Sequence, residues 1–274
     1  MLPTLRAAIK LVLFLFIVLS FILTSLVWKL VIRNISKRRW FYTRTLSFYC
    51  RLCLWAASTK VRVLNLPKNN EQHALIVSNH VGMLDILILA SIRPTLFITS
   101  FELKESPGVG LLTEMGGCLY VERRNRANIT LEIHSIRQAL EQGYNVVLFP
   151  EATATNGERV IPFKKSLMTA AAGTGIPIQP VVLNYRKVNG EPMSHKWRDY
   201  VFWYGDQTFP PALWRLLSVG SVEAEAEFLK PVICHTHEDR RMVAQHAYDE
   251  IVAKYTPILA PHPEVLEGCI PTEV

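Results

Sequence analysis

The chain has 274 residues, half of them hydrophobic, and a formal net charge of +7. That length can bury a sizeable core and suits one catalytic domain with an appendage. The charge is polarised: residues 1–70 hold twelve Lys and Arg and no acid, so the remainder is mildly acidic. The basic residues flank long apolar runs instead of forming a polar stripe, which points to an anionic membrane surface and away from nucleic acid.

Leu11–Trp28 is eighteen residues without a charge, and the apolar character continues past Lys29 to Ile32. Such a run is long enough to cross a bilayer. No small-x-small cleavage site follows it, so a retained anchor is favoured over a cleaved signal. Positive residues are denser after the run (Lys29, Arg33, Lys37, Arg38, Arg39, Arg44) than before it (Arg6, Lys10). This puts the following domain on the cytoplasmic side. Whether the segment spans or dips into one leaflet is open. Residues 40–57 mix aromatics, Leu, Arg44 and Arg51 without acids, as in a helix lying in the interface or packed on the domain. The expected organisation is membrane-anchoring and interfacial helices over 1–59, a catalytic domain over 60–260 and a loose, Pro-rich tail over 261–274.

Beyond Lys60 the pattern alternates. Strand-like runs occur at Arg62–Leu64, Ala74–Val77, Thr95–Thr99, Cys118–Val121, Asn145–Phe149, Ile178–Leu183, Tyr200–Tyr204 and Val222–Leu229. Helical patterns occur at Leu84–Ser91, Gly108–Met115, Asn128–Gln142, Lys165–Ala172 and Glu238–Tyr255, the last opening on Thr236 with Asp239 three residues later. Strands interleaved with helices predict an α/β domain: a central, mostly parallel or mixed sheet flanked by helices, with catalytic loops at strand ends.

The first such strand hands over to a helix through Ser78-Asn79-His80-Val81-Gly82-Met83-Leu84-Asp85. With His80 in the turn and Asp85 in the first helical turn, the carboxylate can accept from one imidazole nitrogen. The other nitrogen is then left as a base for a substrate hydroxyl. A capping Asp beside a partly buried His is the structural alternative. Gly117–Arg123 ends a strand with an arginine suited to bidentate phosphate binding. A buried strand breaks at Pro150 and presents Glu151, Thr153 and Thr155 in a loop, and Lys164 and Lys165 open the next small-residue segment, together a polar, anion-holding wall.

The five cysteines are odd in number and scattered, and Cys50 and Cys53 read as one side of a helix, with free thiols in a reducing compartment. No His/Cys cluster has zinc spacing, and His235-Thr236-His237 reads as a solvated cap, so no metal is expected.

Four blocks over residues 60–230 resemble the glycerolipid acyltransferase family of the 1-acylglycerol-3-phosphate acyltransferase type. They are His80-x4-Asp85, Gly117-x-x-Tyr120-Val121-x-Arg123, Phe149-Pro150-Glu151-x-Thr153 and Ile176-Pro177-x-x-Pro180-Val181. The resemblance implies a membrane-attached enzyme that moves a fatty acyl group from acyl-CoA or acyl carrier protein, as co-substrate and with no cofactor, to a lysolipid hydroxyl. Its expected acceptor is 1-acylglycerol-3-phosphate, giving phosphatidic acid. His80 and Asp85 are then the catalytic pair, and Arg123, Glu151, Thr153, Lys164 and Lys165 the acceptor-binding residues. Oxyanion donors are expected from backbone N–H groups near Gly82 or the following helix N-terminus. The third block departs from the family's usual F-P-E-G-T-R-S, with Ala152, Ala154 and Thr155 standing for Gly, Arg and Ser. Glu151–Gly157 is closer to the block of bacterial relatives that acylate lyso-ornithine lipid. Another lysolipid is therefore the alternative acceptor, and a catalytically inactive membrane-binding homologue the alternative of another class. A Ser78 acyl-enzyme is disfavoured because no G-x-S-x-G elbow occurs.

Overall fold

The computed structural model describes residues 3–68, 73–122, 128–236 and 239–258. Two long helices come first, α1 (Pro3–Val31) and α2 (Ile35–Ala56). Asn34 caps α2 by accepting from the Lys37 N–H at 2.9 Å. The two helices run antiparallel, tied by Thr24 to Tyr49 and Trp28 to Thr45. One stripe of α1 faces inward, with Ala7, Lys10, Ile17, Phe21 and Ser25 buried at helical spacing. The opposite stripe leaves Val12, Phe16, Leu19, Leu23, Val27 and Leu30 exposed. By length and composition α1 is long and apolar enough to cross a membrane.

The sheet is built from β1 (Thr59–Leu64), β2 (Leu75–Ser78), β3 (Thr95–Ser100), β4 (Leu119–Val121), β5 (Asn145–Leu148), β6 (Pro177–Val188), β7 (Glu191–Pro192), β8 (Val222–Phe228) and β9 (Val232–Ile233). Its spatial order is β1-β8-β6-β2-β5-β3-β4, with β7 and β9 on β6. The run β6-β2-β5-β3-β4 is parallel, and β8 joins β6 antiparallel. This is the expected mixed sheet. The other helices are α3 (Met83–Ile92), α4 (Phe101–Glu105), α5 (Val109–Met115), α6 (Ile129–Glu141), α7 (His195–Val201), α8 (Phe209–Ser218) and α9 (Arg240–Lys254).

Helices cover both faces, so the central strands are apolar on both sides. Ile76 of β2 packs with Leu54 of α2, Leu84 and Ile88 of α3 and Leu216 of α8. Its neighbours Leu75 and Val77 turn the other way, toward Ile136 and Leu140 of α6 and Val243 and Ala247 of α9. Full burial of a side chain of this size contributes about 1.5–3 kcal/mol.

Some elements differ from the sequence reading. Tyr200–Tyr204 is not a strand: α7 runs to Val201, Val201 and Phe202 enter the core, and the Trp203 N–H donates to Val81 O at 3.0 Å. Aromatic alternation cannot register that long-range bond. Lys165–Ala172 shortens to a 3₁₀ turn, Leu167–Ala171, because the Gly173 N–H leaves the helical path for Cys234 O at 2.9 Å. The short α4 and α8 go unannounced in the sequence, and β1 starts at Thr59. The opening of α9 is as expected, the Thr236 N–H donating to Asp239 Oδ2 and the Asp239 N–H to Thr236 Oγ1. The tail over 261–274 and His237 lie outside the described residues.

Candidate active site

The parallel strands β2, β5, β3 and β4 all end at one edge of the sheet, where open α/β folds bind ligands. β2 delivers Asn79 and His80 there, and β5 delivers Phe149, Pro150 and Glu151. The two loops meet around His80.

His80 Nδ1 lies 2.8 Å from Asp85 Oδ2. Asp85 is fully buried, and the same oxygen accepts from the N–H groups of Val81 at 2.6 Å and Gly82 at 2.9 Å. An ionised carboxylate only accepts, so Nδ1 carries the proton and Nε2 presents its lone pair. Among the described residues Nε2 has no hydrogen-bond partner, and the imidazole is 18% exposed, enough for a substrate to reach it. The remaining carboxylate oxygen, Oδ1, accepts from the Tyr185 hydroxyl at 2.6 Å. Burial, and then the Asp85 charge, push the Tyr185 phenol well above its ordinary range, so it stays a donor. The turn needs glycine at 82 for space: a Cβ there would lie 2.7 Å from the Trp203 backbone nitrogen. Asn79 continues the β2–β6 pairing with its side chain, accepting from the Leu183 N–H at 2.8 Å and donating to Leu183 O at 3.0 Å.

From the other side, Phe149 stacks on the imidazole with centroids 4.0 Å apart and planes 16° from parallel. Glu151 is buried, and its two oxygens accept from the His80 N–H at 2.7 Å and the Ile161 N–H at 2.9 Å. Burial pushes its carboxyl up to about 7, against the opposing pull of those two N–H groups. The Thr155 N–H donates to His80 O at 2.9 Å. The peptide groups of His80 are thus clamped on both sides by the third block.

The structure brings some of the expected residues together and separates others. His80 and Asp85 meet. Glu151 is next to them, but its carboxylate faces backbone instead of open space. Thr153 is exposed, its hydroxyl donating to Ala154 O at 3.4 Å. Lys164 is exposed and Lys165 half-buried, and neither has an ion-pair partner among the described residues. Arg123 lies outside the described residues, just past the end of β4. The N–H groups near Gly82, expected to serve an oxyanion, are turned onto Asp85. Ser78 is fully buried and its hydroxyl donates to Asn79 O at 3.2 Å, so it is not a nucleophile poised on His80. Cys50, Cys53 and Cys234 are free and buried. Among the described residues no group of three metal-ligating side chains forms. Sequence reasoning missed Asn79, Phe149 and Tyr185 as parts of the site. Only the first two had a local signal, flanking His80 and Glu151.

The Acyltransferase family profile matches residues 59–184. A lyso-ornithine lipid O-acyltransferase of Brucella abortus (strain 2308) is 33% identical over 178 residues, covering 62% of this chain and 67% of that one. A 1-acyl-sn-glycerol-3-phosphate acyltransferase of Neisseria gonorrhoeae is 29% identical over 166 residues, covering 61% and 63%. The chain thus spans about two thirds of the length of these relatives. The crystal structure of the 1-acyl-sn-glycerophosphate (LPA) acyltransferase PlsC from Thermotoga maritima superposes with a TM-score of 0.63 at 18% identity, over 95% of this chain and 100% of that one. At that identity the superposition speaks to the fold.

Proposed function

The chain belongs to the acyltransferase family, and we propose that it carries a fatty acyl group from a thioester donor, acyl-CoA or acyl carrier protein, to a lysolipid hydroxyl, with His80 as general base. The observation that carries this reading is His80 itself, held by Asp85 through Nδ1 with Nε2 left open to substrate. Nε2 takes the hydroxyl proton as the oxygen attacks the thioester carbonyl. Collapse of the tetrahedral adduct breaks the C–S bond, and the departing thiolate takes the proton back from His80. Asp85 keeps Nδ1 protonated and stabilises the imidazolium while it exists. No enzyme nucleophile is required, because the acceptor oxygen forms the new ester directly. The intact pair argues against a scaffold that has lost its activity.

The membrane reading deepens in the same way. Lys10 Nζ, inside the apolar helix, donates to Ala57 O at 3.1 Å and Val219 O at 2.8 Å, just past the ends of α2 and α8. Together with Ala7, Ile17, Phe21 and Ser25, it binds α1 to the rest of the protein along most of its length. A helix packed in this way suits one leaflet, with its leucine face toward the acyl chains, better than a free crossing of the bilayer. The domain then sits on the cytoplasmic face, where the basic residues of 29–44 meet anionic headgroups.

Two acceptors fit. Lyso-ornithine lipid is favoured by Ala154, which removes a cation from the loop, and by the lyso-ornithine lipid relative. Lysophosphatidate is favoured by Lys164 and Lys165 beside the site, which have no ion-pair partner among the described residues, and by the Neisseria relative. The test is acyl transfer by detergent-solubilised protein, wild type beside His80→Ala, with labelled acyl-CoA and acyl carrier protein each offered with both lysolipids. Ester formation lost by about 10³-fold or more in the variant supports the mechanism. The lysolipid that is esterified identifies the acceptor. Folded protein without His80-dependent transfer to either would overturn the reading.

A further inference from the structure

β2 leaves the sheet early. Its last partner on β6 is Val181, opposite Ser78, yet β6 continues to Val188. That stretch of β6 would present unpaired backbone groups on the β2 side, and the loop carrying His80 lies along it. Asn79 occupies Leu183 in both directions, as a strand residue would. Two residues further, on the same face, Tyr185 reaches the far oxygen of Asp85 at 2.6 Å. The bulge that follows, at Arg186, lies beyond Tyr185 and leaves this register intact. Tyr185 is buried, with Phe202 edge-on at 5.2 Å. It is the one donor to Asp85 Oδ1 among the described residues.

We propose that Tyr185 is a positioning residue for acyl transfer: its hydroxyl holds the Asp85 carboxylate so that Oδ2 stays on His80 Nδ1, and it limits how strongly Asp85 pulls on the imidazole. This rests on the reading of His80 as the base. Without the hydroxyl, Oδ1 is a buried acceptor with no donor, and the carboxylate charge concentrates toward His80. The imidazolium then gains stability, and the base stays protonated to higher pH. Other titratable groups face the pair: Glu151 through the His80 N–H, and Tyr255, whose phenol feels the charges of Asp85 and Glu151. Neither donates to Asp85, so neither replaces Tyr185.

The experiment compares wild type, Tyr185→Phe and His80→Ala by steady-state kinetics over pH and by proton NMR of the downfield Nδ1–H resonance, assigned by its loss in His80→Ala. Phenylalanine fills the same space. Tyr185→Phe should lower kcat about 10- to 100-fold with KM within twofold, move the acid limb of kcat/KM to higher pH, and shift the Nδ1–H resonance downfield. A variant with kcat within twofold of wild type and an unmoved resonance overturns the proposal, as does a wild type without that resonance. The NMR readout needs no substrate. Absence of His80-dependent transfer in wild type would therefore sink the acyl-transfer reading, while the resonance still reports whether Tyr185 governs the pair. Should Tyr185→Phe not fold, 3-fluorotyrosine in place of Tyr185 serves instead. As a stronger donor of nearly the same shape it should move the pH limb and the resonance the opposite way, and no movement would count against the proposal.

Discussion

The loop from Asn79 to Asp85 and the stretch from Thr153 to Lys165 meet at one site but are held very differently. In the first, Asn79 and Asp85 are buried, and the Asp85 carboxylate receives four donors. In the second, Thr153, Glu158, Arg159 and Lys164 stand in solvent. The division runs through the third block itself, since Glu151 and Thr155 brace His80 while their neighbours face outward. In the proposed reaction the groups that move protons are fixed before substrate arrives, whereas those proposed to hold the acceptor are free to be reorganised by it.

The comparison predicts its largest effect at the buried centre. Asp85→Asn keeps the shape but removes the charge and places an NH2 group against donors, favouring the wrong imidazole tautomer. We expect kcat to fall by about 10³- to 10⁴-fold with KM little changed, measured by acyl transfer at saturating acceptor. A loss below tenfold would mean that the pair is only a structural cap.

Glu151 gives the next largest effect, and it appears as pH dependence of stability. Its carboxyl is raised to about 7 in the fold from an ordinary value of 4.5, burial being the cause. The folded state therefore binds this proton more tightly than the unfolded chain. Its contribution is fully present below about 4.5 and is lost as pH rises through about 7, a change on the order of 3 kcal/mol. Urea unfolding of wild type and Glu151→Gln at pH 5 and 7.5 should show wild type losing stability relative to the variant. Parallel behaviour of the two would show that the two N–H donors outweigh burial.

How far the sequence revealed this division depends on the range of the contacts. His80, Asp85 and the strand and helix that flank their turn follow from local periodicity and from five-residue spacing at a strand–helix junction. Tyr185 sits 100 residues from Asp85 in an ordinary branched strand, so nothing local marks it. Glu151 was visible as a carboxylate after a strand-breaking proline. The direction of that carboxylate is decided by the His80 and Ile161 N–H groups, which one-dimensional spacing cannot show. Helix α8 was missed although Pro210 and Pro211 lie in its first turn, where the missing N–H groups cost nothing.

On the outward side the effects should be smaller and should fall on binding. Lys164→Ala combined with Lys165→Ala should raise KM for lysophosphatidate about 3- to 10-fold and leave kcat within twofold, with a weaker effect on lyso-ornithine lipid, whose headgroup also carries an ammonium. A kcat loss equal to that of Asp85→Asn would erase the distinction between the two regions.

The smallest effect tests where that distinction begins. Ala152 follows Glu151 directly and has φ +59°, in the left-handed region, at the position where the resembled family carries glycine. An alanine there costs about 1–2 kcal/mol, and glycine relieves it while adding about 0.4–1 kcal/mol of unfolded-state entropy. Ala152→Gly should therefore stabilise the protein by about 0.5 kcal/mol, or roughly 1–2 °C in Tm, with kcat unchanged. Thermal unfolding and acyl transfer on the same preparation check both halves. Stabilisation with full activity would place the strained turn outside the fixed centre. A fall in kcat would mean instead that the alanine stiffens the Glu151 clamp, and that the rigid region extends one residue further into the outward-facing loop.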